Sequence, residues 1–308
     1  MARLSTNDTD LSYIAEVTPG TTPATPAFQL LPFTGGAPEF QITTVMSDAI
    51  RSDRQTDDII VTDATVTGAI NFELSYAAYK PFLIEVLRSA AVASPYANGI
   101  SAPTTYTFLK RILDGATTYY HYYTGCVIKS MSLSLSTASK VTGTMKIVGR
   151  GEEATTSEIA SSTYVDAANY VIMNASSNID SLTVGGTSTC VQSMDITFEN
   201  NSEGSKCLGF LGNSDVDDFG FDVTASMDTF FEDLARYNVF KNSTAFAVAM
   251  EMTDGNGNQF DLSLPRCKWE SLNTPISGKN QFLTMNGSIR ALRDSATGYT
   301  AQFGFTDA

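Results

Sequence analysis

Histidine is almost missing from this 308-residue sequence, with His121 alone, and the four cysteines, Cys126, Cys190, Cys207 and Cys267, form no C-x-x-C pair. That shortage argues against a structural zinc site built from thiolates and imidazoles, and sparse cysteine fits a reducing compartment. Basic residues are also few, 19 against 33 acidic, for a formal net charge of -14. Phosphate binding needs clustered Lys and Arg, so no nucleic-acid grip is expected. No run nears the ~20 apolar residues of a membrane span, and Met1 to Asp8 lacks the apolar stretch of a signal peptide. The expectation is a protein made and used in a cytoplasm, unless a dedicated export machine handles it.

Catalytic fingerprints are absent as well: there is no G-x-S-x-G, P-loop or dinucleotide-binding glycine pattern. The one imidazole lies in the aromatic run Tyr119-Tyr120-His121-Tyr122-Tyr123 and reads as part of a strand face. Carboxylate pairs for sugar hydrolysis are plentiful among the acidic residues, but the sequence singles out none. No enzymatic activity and no cofactor are expected.

What is present is a pattern of period two. Ile70, Phe72 and Leu74 alternate with Asn71, Glu73 and Ser75, and Met131, Leu133 and Leu135 alternate with serines. Such alternation marks antiparallel strands with one face on a core and one in water. Asp114-Gly115, between Tyr106–Leu113 and Thr118–Thr124, suits a tight hairpin. Helix is scarce. One candidate starts with Pro81 in its first turn and buries Phe82, Leu83, Val86 and Leu87. A second starts at Thr229 with Glu232 as its capping box and Phe231, Leu234 and Ala235 as its apolar stripe. The first 38 residues, with five prolines, read as an extended arm.

The order of elements recurs. Strand, alternating strand, helix, strand, Asp-Gly turn, strand, cysteine and alternating strand are followed by a second series with the same order. Gly68 matches Gly220, Asp114-Gly115 matches Asp254-Gly255, and Cys126 matches Cys267, with extra residues of the first copy near Ser94–Pro103. This suggests an internal duplication. The expected fold is mainly β: an arm over 1–38, a first antiparallel β-sandwich or barrel domain over 39–150, a linker and entry strand over 151–190, and a second such domain over 191–308, each domain with one short helix. The halves differ in charge, with 12 acidic and 11 basic residues before position 151 and 21 against 8 after it.

Two loops carry concentrated polar chemistry. Asp254-Gly255-Asn256-Gly257-Asn258 has oxygens at alternate positions, as calcium loops do, but Pro265 stands where a bidentate Glu is needed, so a hairpin turn is the better reading. Asp48, Arg51, Asp53, Arg54 and Asp57 form the one dense mixed-charge run. It reads either as a solvated loop or as a projecting hairpin that meets a neighbouring subunit, where weak exposed pairs act in many copies.

Ser12-Tyr13-Ile14-Ala15-Glu16-Val17-Thr18-Pro19-Gly20-Thr21-Thr22-Pro23, Ser47 to Gln55, Gly68 with Phe72-Glu73-Leu74-Ser75-Tyr76, Gly125-Cys126-Val127, Asp254-Gly255-Asn256 and Leu264-Pro265-Arg266-Cys267 together resemble the major tail (tail tube) proteins of long non-contractile-tailed bacteriophages. The likeness runs through most of the chain, although residues 151–190 align with nothing specific. It implies a tail-tube-type fold of antiparallel sheets curled around a small helix. It also implies rings, as trimers of pseudo-sixfold shape for a two-domain chain, stacked into a virion tube in the host bacterial cytoplasm. The tape measure, tail terminator and distal tail proteins are implied partners, and DNA passes through without specific binding. The Asp48–Asp57 charges are then candidates for ring-to-ring contacts, together with the N-terminal arm. Ser130, Ser132, Ser134, Asp195, Glu199, Asp222 and Asp228 are candidates for the lumen, where hydroxyls and acids repel phosphate. The alternative is a β-sandwich carbohydrate-binding or adhesin module of a virion, with Tyr119, Tyr120, Tyr122 and Tyr123 as its aromatic cleft.

Overall fold

Alternation in the sequence becomes alternating burial in the structure, a computed structural model that describes residues 4–115, 117–167, 170–276 and 278–308. In the stretch Asp222–Phe230, Val223, Ala225 and Met227 are buried while Asp222 and Ser226 face outward. The first half of the chain contains β1 (Thr9–Ala15), β2 (Ala27–Leu30), β3 (Pro38–Met46), β4 (Ile59–Glu73), α1 (Tyr76–Val86), β5 (Tyr96–Ala97), β6 (Tyr106–Asp114), β7 (Thr117–Ser136), β8 (Thr142–Gly149) and β9 (Gly151–Thr155). The remainder contains β10 (Thr163–Val165), β11 (Ile179–Val184), β12 (Thr187–Ser188), β13 (Val191–Glu199), β14 (Glu203–Ser205), β15 (Asp215–Asp217), β16 (Asp222–Phe230), α2 (Ala235–Lys241), β17 (Phe246–Thr253), β18 (Gln259–Asn273), β19 (Thr284–Ala291) and β20 (Gln302–Thr306). The fold is mainly β.

The same pairing scheme occurs twice. In the first half β4 lies between β3 and β8, β8 pairs with the later part of β7, and the earlier part of β7 pairs with β6 and β9. In the second half β16 lies between β13 and β19, β19 pairs with the later part of β18, and its earlier part pairs with β17 and β20. β7 and β18 are thus corner strands, each passing from one sheet to another. Cys126 and Cys267 sit at the two corners, both fully buried. Two residues further on, each strand slips its register, between Ile128 and Ser130 and between Trp269 and Ser271. A bulge of this kind bends a strand and lets it serve two sheets.

α1 fills the concave side of the first half. Its Tyr79, Phe82, Leu83 and Val86 are buried, with Tyr79 stacked on Phe72 at 3.9 Å. Pro81 lies inside this helix and not at its start, because the apolar contacts of Tyr76 and Tyr79 carry the helix one turn earlier. The second helix starts later than Thr229, which is paired in β16; α2 begins at Ala235 and has no fully buried residue. The second core relies instead on Phe198, Phe260 and Phe303, with Trp269 stacked on Phe246 at 5.3 Å.

Three further expectations change. Residues 9–15 and 27–30 are not a free arm: β1 pairs with β6 along its length and with β2, which places Leu11, Tyr13 and Phe28 in the interior. The prolines flank these strands, so they end them without breaking a ladder. The 151–190 stretch, expected as a linker with an entry strand, supplies more than one strand: β9 and β10 join the first half and β11 the second. Finally, register equates Gly68 with Ala225, not with Gly220: Gly68 faces Ile147 on β8, and Ala225 faces Ile289 on β19.

Candidate assembly surfaces

The two halves meet strand to strand. β13 adds to the free side of β7, from Ser193 opposite Ser136 to Glu199 opposite Ser130. The result is one continuous run of strands, β3–β4–β8–β7–β13–β16–β19–β18, half from each part of the chain. Among the described residues, β3 pairs with β4 alone, and the later part of β18 has β19 on one side only. The sheet therefore ends in two open edges, and open edges are surfaces for further strands.

Burial marks β3 as unfinished. Phe198 on β13 faces Val223 and is fully buried, whereas Phe40, which faces Val66 in the same position on β3, is 40% exposed. The difference is the neighbour. Phe198 has Met131 of β7 beside it, whereas among the described residues no strand pairs with β3 on the far side of Phe40.

Other contacts hold the internal joint. Arg88, only 5% exposed, donates to Asp218 (2.6 Å), Glu85 (2.8 Å) and the Ile128 carbonyl (2.9 Å). It ties the end of α1 to the connection between β13 and β16. Burial raises the Glu85 carboxyl above its ordinary range, against the pull of Arg88. The extra residues of the first half, noted near Ser94–Pro103, supply β5, which pairs with β20 across the joint. Lys80 binds Asp307 at 2.7 Å on the same side.

The face of this sheet away from α1 is a polar array. One row across it reads Glu73, Thr142, Ser134, Asp195, Ser226, Ser288, Ser271; the next reads Asn71, Thr144, Ser132, Thr197, Thr224, Arg290, Lys268. All seven lumen candidates lie on this face. Ser132, Ser134 and Asp195 are open or partly open, and Asp228 accepts from Ser193 at 3.0 Å. Asp222 is paired with Arg290 at 3.2 Å. Ser130 is buried and Glu199 partly so, close to where the β14–β15 hairpin folds down and Val216 packs on Val127 and Val148. A groove of about 800 Å³ opens between that hairpin and β3–β4, lined by Glu39, Thr67, Lys146 and Lys206 among others.

β3 and β4 continue beyond the sheet as a hairpin. Within its loop Arg51 binds both Asp53 (3.1 Å) and Asp57, so these charges are satisfied inside the loop; Asp48 and Arg54 are exposed. Arg51 holds the Asp53 carboxyl below its ordinary range. What the sequence reading missed is the apolar skin. Ile42, Val45, Met46, Ile50, Ile59, Ile60 and Val61 are all exposed. Their signal was the loss of alternation in Ile59-Ile60-Val61, where both faces of a strand are apolar.

Other candidates resolve as architecture. Asp254 is buried and its carboxylate accepts the backbone N–H groups of Asn256 and Asn258 and the Asn258 amide, which makes it the organiser of a turn. Among the described residues no cluster of three or more His, Cys, Asp or Glu is placed to hold a metal ion. The four tyrosines form no common cleft: Tyr122 is buried with Phe28 and Leu109, Tyr123 in the main core, and Tyr119 is exposed. His121 meets Glu152 at 2.8 Å on the strand face. No helix among the described residues is long and apolar enough to cross a membrane.

A polar-faced sheet with two open edges and an exposed apolar hairpin are surfaces suited to contact with further chains. The chain belongs to the phage tail tube protein family, whose pattern matches residues 6–306. Comparison with curated proteins gave no match.

Proposed function

We propose that this chain closes into rings through its open sheet edges, that the rings stack into the tail tube, and that the tube is the conduit for DNA ejection. The observation that carries this reading is the β7–β13 joint, where one half of the chain already accepts the other edge to edge. A second chain repeating that step turns an open sheet into a closed wall, and head-to-tail contacts close by rotation. Three chains of eight strands each form a barrel of about 24 strands and pseudo-sixfold shape. At about 4.8 Å per strand and a tilt of roughly 40°, its backbone diameter is about 48 Å. The repeated pairing scheme supports an origin by duplication, with tube domains over 39–150 and 191–308 that borrow strands from the flanking segments.

The polar face lines the bore in this reading, and the β3–β4 hairpin, with its exposed apolar side chains and its Asp48 and Arg54, reaches the next ring. The role is structural and not catalytic. Tape measure, terminator and distal tail proteins are the expected further partners, with assembly in the host cytoplasm.

Electron microscopy of the purified protein tests this. Wild type should give rings or tubes, and a chain lacking residues 47–57 should give rings that do not stack. Persistent monomers of the wild type contradict the ring, and full-length tubes from the deletion contradict the hairpin's role.

A further inference from the structure

The internal joint fixes more than the fact of edge pairing. Cys126 and Cys267 are equivalent, and so are the slips that follow them, which makes Ser130 the counterpart of Ser271, Met131 of Leu272 and Ser132 of Asn273. The same ladders carry the equivalence across each half. Ser130 lies in one row with Lys146 and Ala69, and Ser271 in one row with Ser288 and Ser226. One step along, Thr67 is the counterpart of Thr224, and a further step makes Val66 the counterpart of Val223. Their partners follow: Glu39 opposite Thr67 matches Thr197 opposite Thr224, and Phe40 opposite Val66 matches Phe198 opposite Val223. Gln41 then matches Glu199.

Within the chain, Thr197 faces Ser132, Phe198 faces Met131 and Glu199 faces Ser130. Resting on the ring reading above, we infer that β3 of one chain pairs antiparallel with the later part of β18 of the next, in the register Glu39 opposite Asn273, Phe40 opposite Leu272 and Gln41 opposite Ser271. The occupant of each open edge is thus the other edge of a second copy. Phe40 gains beside it Leu272, as Phe198 has Met131, and its exposed ring is covered. Glu39 and Gln41 face the same polar side as Ser271 and Asn273.

The hydrogen-bond phase follows too. Asn200 N–H donates to the Lys129 carbonyl at 2.9 Å, one step beyond Glu199 and Ser130. Ladder bonds alternate in an antiparallel pair. Glu199–Ser130 and Thr197–Ser132 are therefore non-hydrogen-bonded pairs, and Gln41–Ser271 and Glu39–Asn273 inherit that phase. Cα atoms of such pairs lie about 4.5 Å apart, inside the range of roughly 4.4–6.8 Å that a disulfide spans.

The test uses the full chain with the exposed thiols removed by Cys190→Ser and Cys207→Ser. Onto this background go Glu39→Cys with Asn273→Cys, separately Gln41→Cys with Ser271→Cys, and as the shifted control Glu39→Cys with Ser271→Cys. Assembly is first scored by electron microscopy, then samples are oxidised and run without reductant. Both in-register pairs should give covalent oligomers ending in one closed ring species. The control, a diagonal pair at about 7–8 Å, should stay monomeric on the gel. Cross-linking of the control in place of the register pairs overturns the proposal, as does assembly of rings with no cross-link in either register pair. Absence of rings from the parent chain overturns the ring reading itself, and the register with it.

Discussion

Cys126 and Cys267 point their thiols at the same target, the carbonyl of the residue three positions earlier: Tyr123 at 3.5 Å and Leu264 at 3.8 Å. Both stand where a long strand leaves one sheet for another. Corner strands that must bend and remain buried favour a small apolar side chain with a weak donor.

Burial governs how these thiols react. It lifts the Cys267 thiol to about 12 and raises that of Cys126 also, with Glu16 adding to the effect at Cys126. The thiolate is the nucleophile, so iodoacetamide in mildly alkaline buffer should label the exposed Cys190 and Cys207 and spare the other two. All four should label in denaturant. Mass spectrometry reads the sites, and labelling of Cys267 in the folded chain would contradict the corner assignment.

Much of this architecture was legible before the structure. The cysteine offset held to the residue, down to the bulge that follows each one, because a buried corner constrains both side-chain size and spacing. The Asp254 turn was legible because Asx-type bonding needs that side chain there. The glycine match failed for a steric reason. A Cβ on Gly68 would meet the Ala37 carbonyl at 2.7 Å, whereas Gly220 lies in a connection with only Asn201 near, at 3.8 Å. The two glycines answer different demands. The N-terminal strands were masked by prolines, although Leu11 and Tyr13 alternate with Asp10 and Ser12 as a strand requires. The open edges had no signal in either half alone, since an edge is defined by what is not beside it.

Arg88 and Asp218 should reveal the joint's electrostatics. Arg88→Met strands Glu85 and Asp218 without their cation, and breaking a buried pair in this way costs about 3–5 kcal/mol. Asp218→Asn leaves Arg88 with Glu85 and the Ile128 carbonyl, so its cost is smaller, about 1–3 kcal/mol. Urea unfolding of the two variants gives the comparison. An Arg88→Met chain within about 1 kcal/mol of wild type would show that the network does not hold the halves together.

Phe40 and Phe198 form a natural contrast. Phe198→Ala empties a filled core site and should lower stability by about 3–5 kcal/mol. Phe40→Ala removes a ring that is partly in water, so the isolated chain should lose about 1 kcal/mol or less. Ring formation should respond the other way, with Phe40→Ala blocking it in a chain that remains folded. Thermal unfolding and size-exclusion chromatography separate the effects. Equal loss of stability in both variants would mean that Phe40 belongs to the monomer core.

The polar face makes a prediction about transport. Asp195 projects from the middle of the serine-rich row, and Asp228 lies one row beyond, accepting from Ser193. In the proposed ring, a wall carrying such carboxylates would raise a negative potential inside the bore, and DNA would be repelled from the wall instead of adhering to it. Asp195→Lys with Asp228→Lys replaces two negative charges per chain by two positive ones, at positions outside the core and away from both open edges. Rings and tubes should form as in wild type, while ejection from phage carrying the variant should slow. Added salt should restore the rate, because counterions screen Lys–phosphate contacts. Time-resolved DNA release at low and high ionic strength measures both effects. A variant that ejects at the wild-type rate under both conditions would leave these acids a role in solubility, and would place the bore's electrostatics elsewhere.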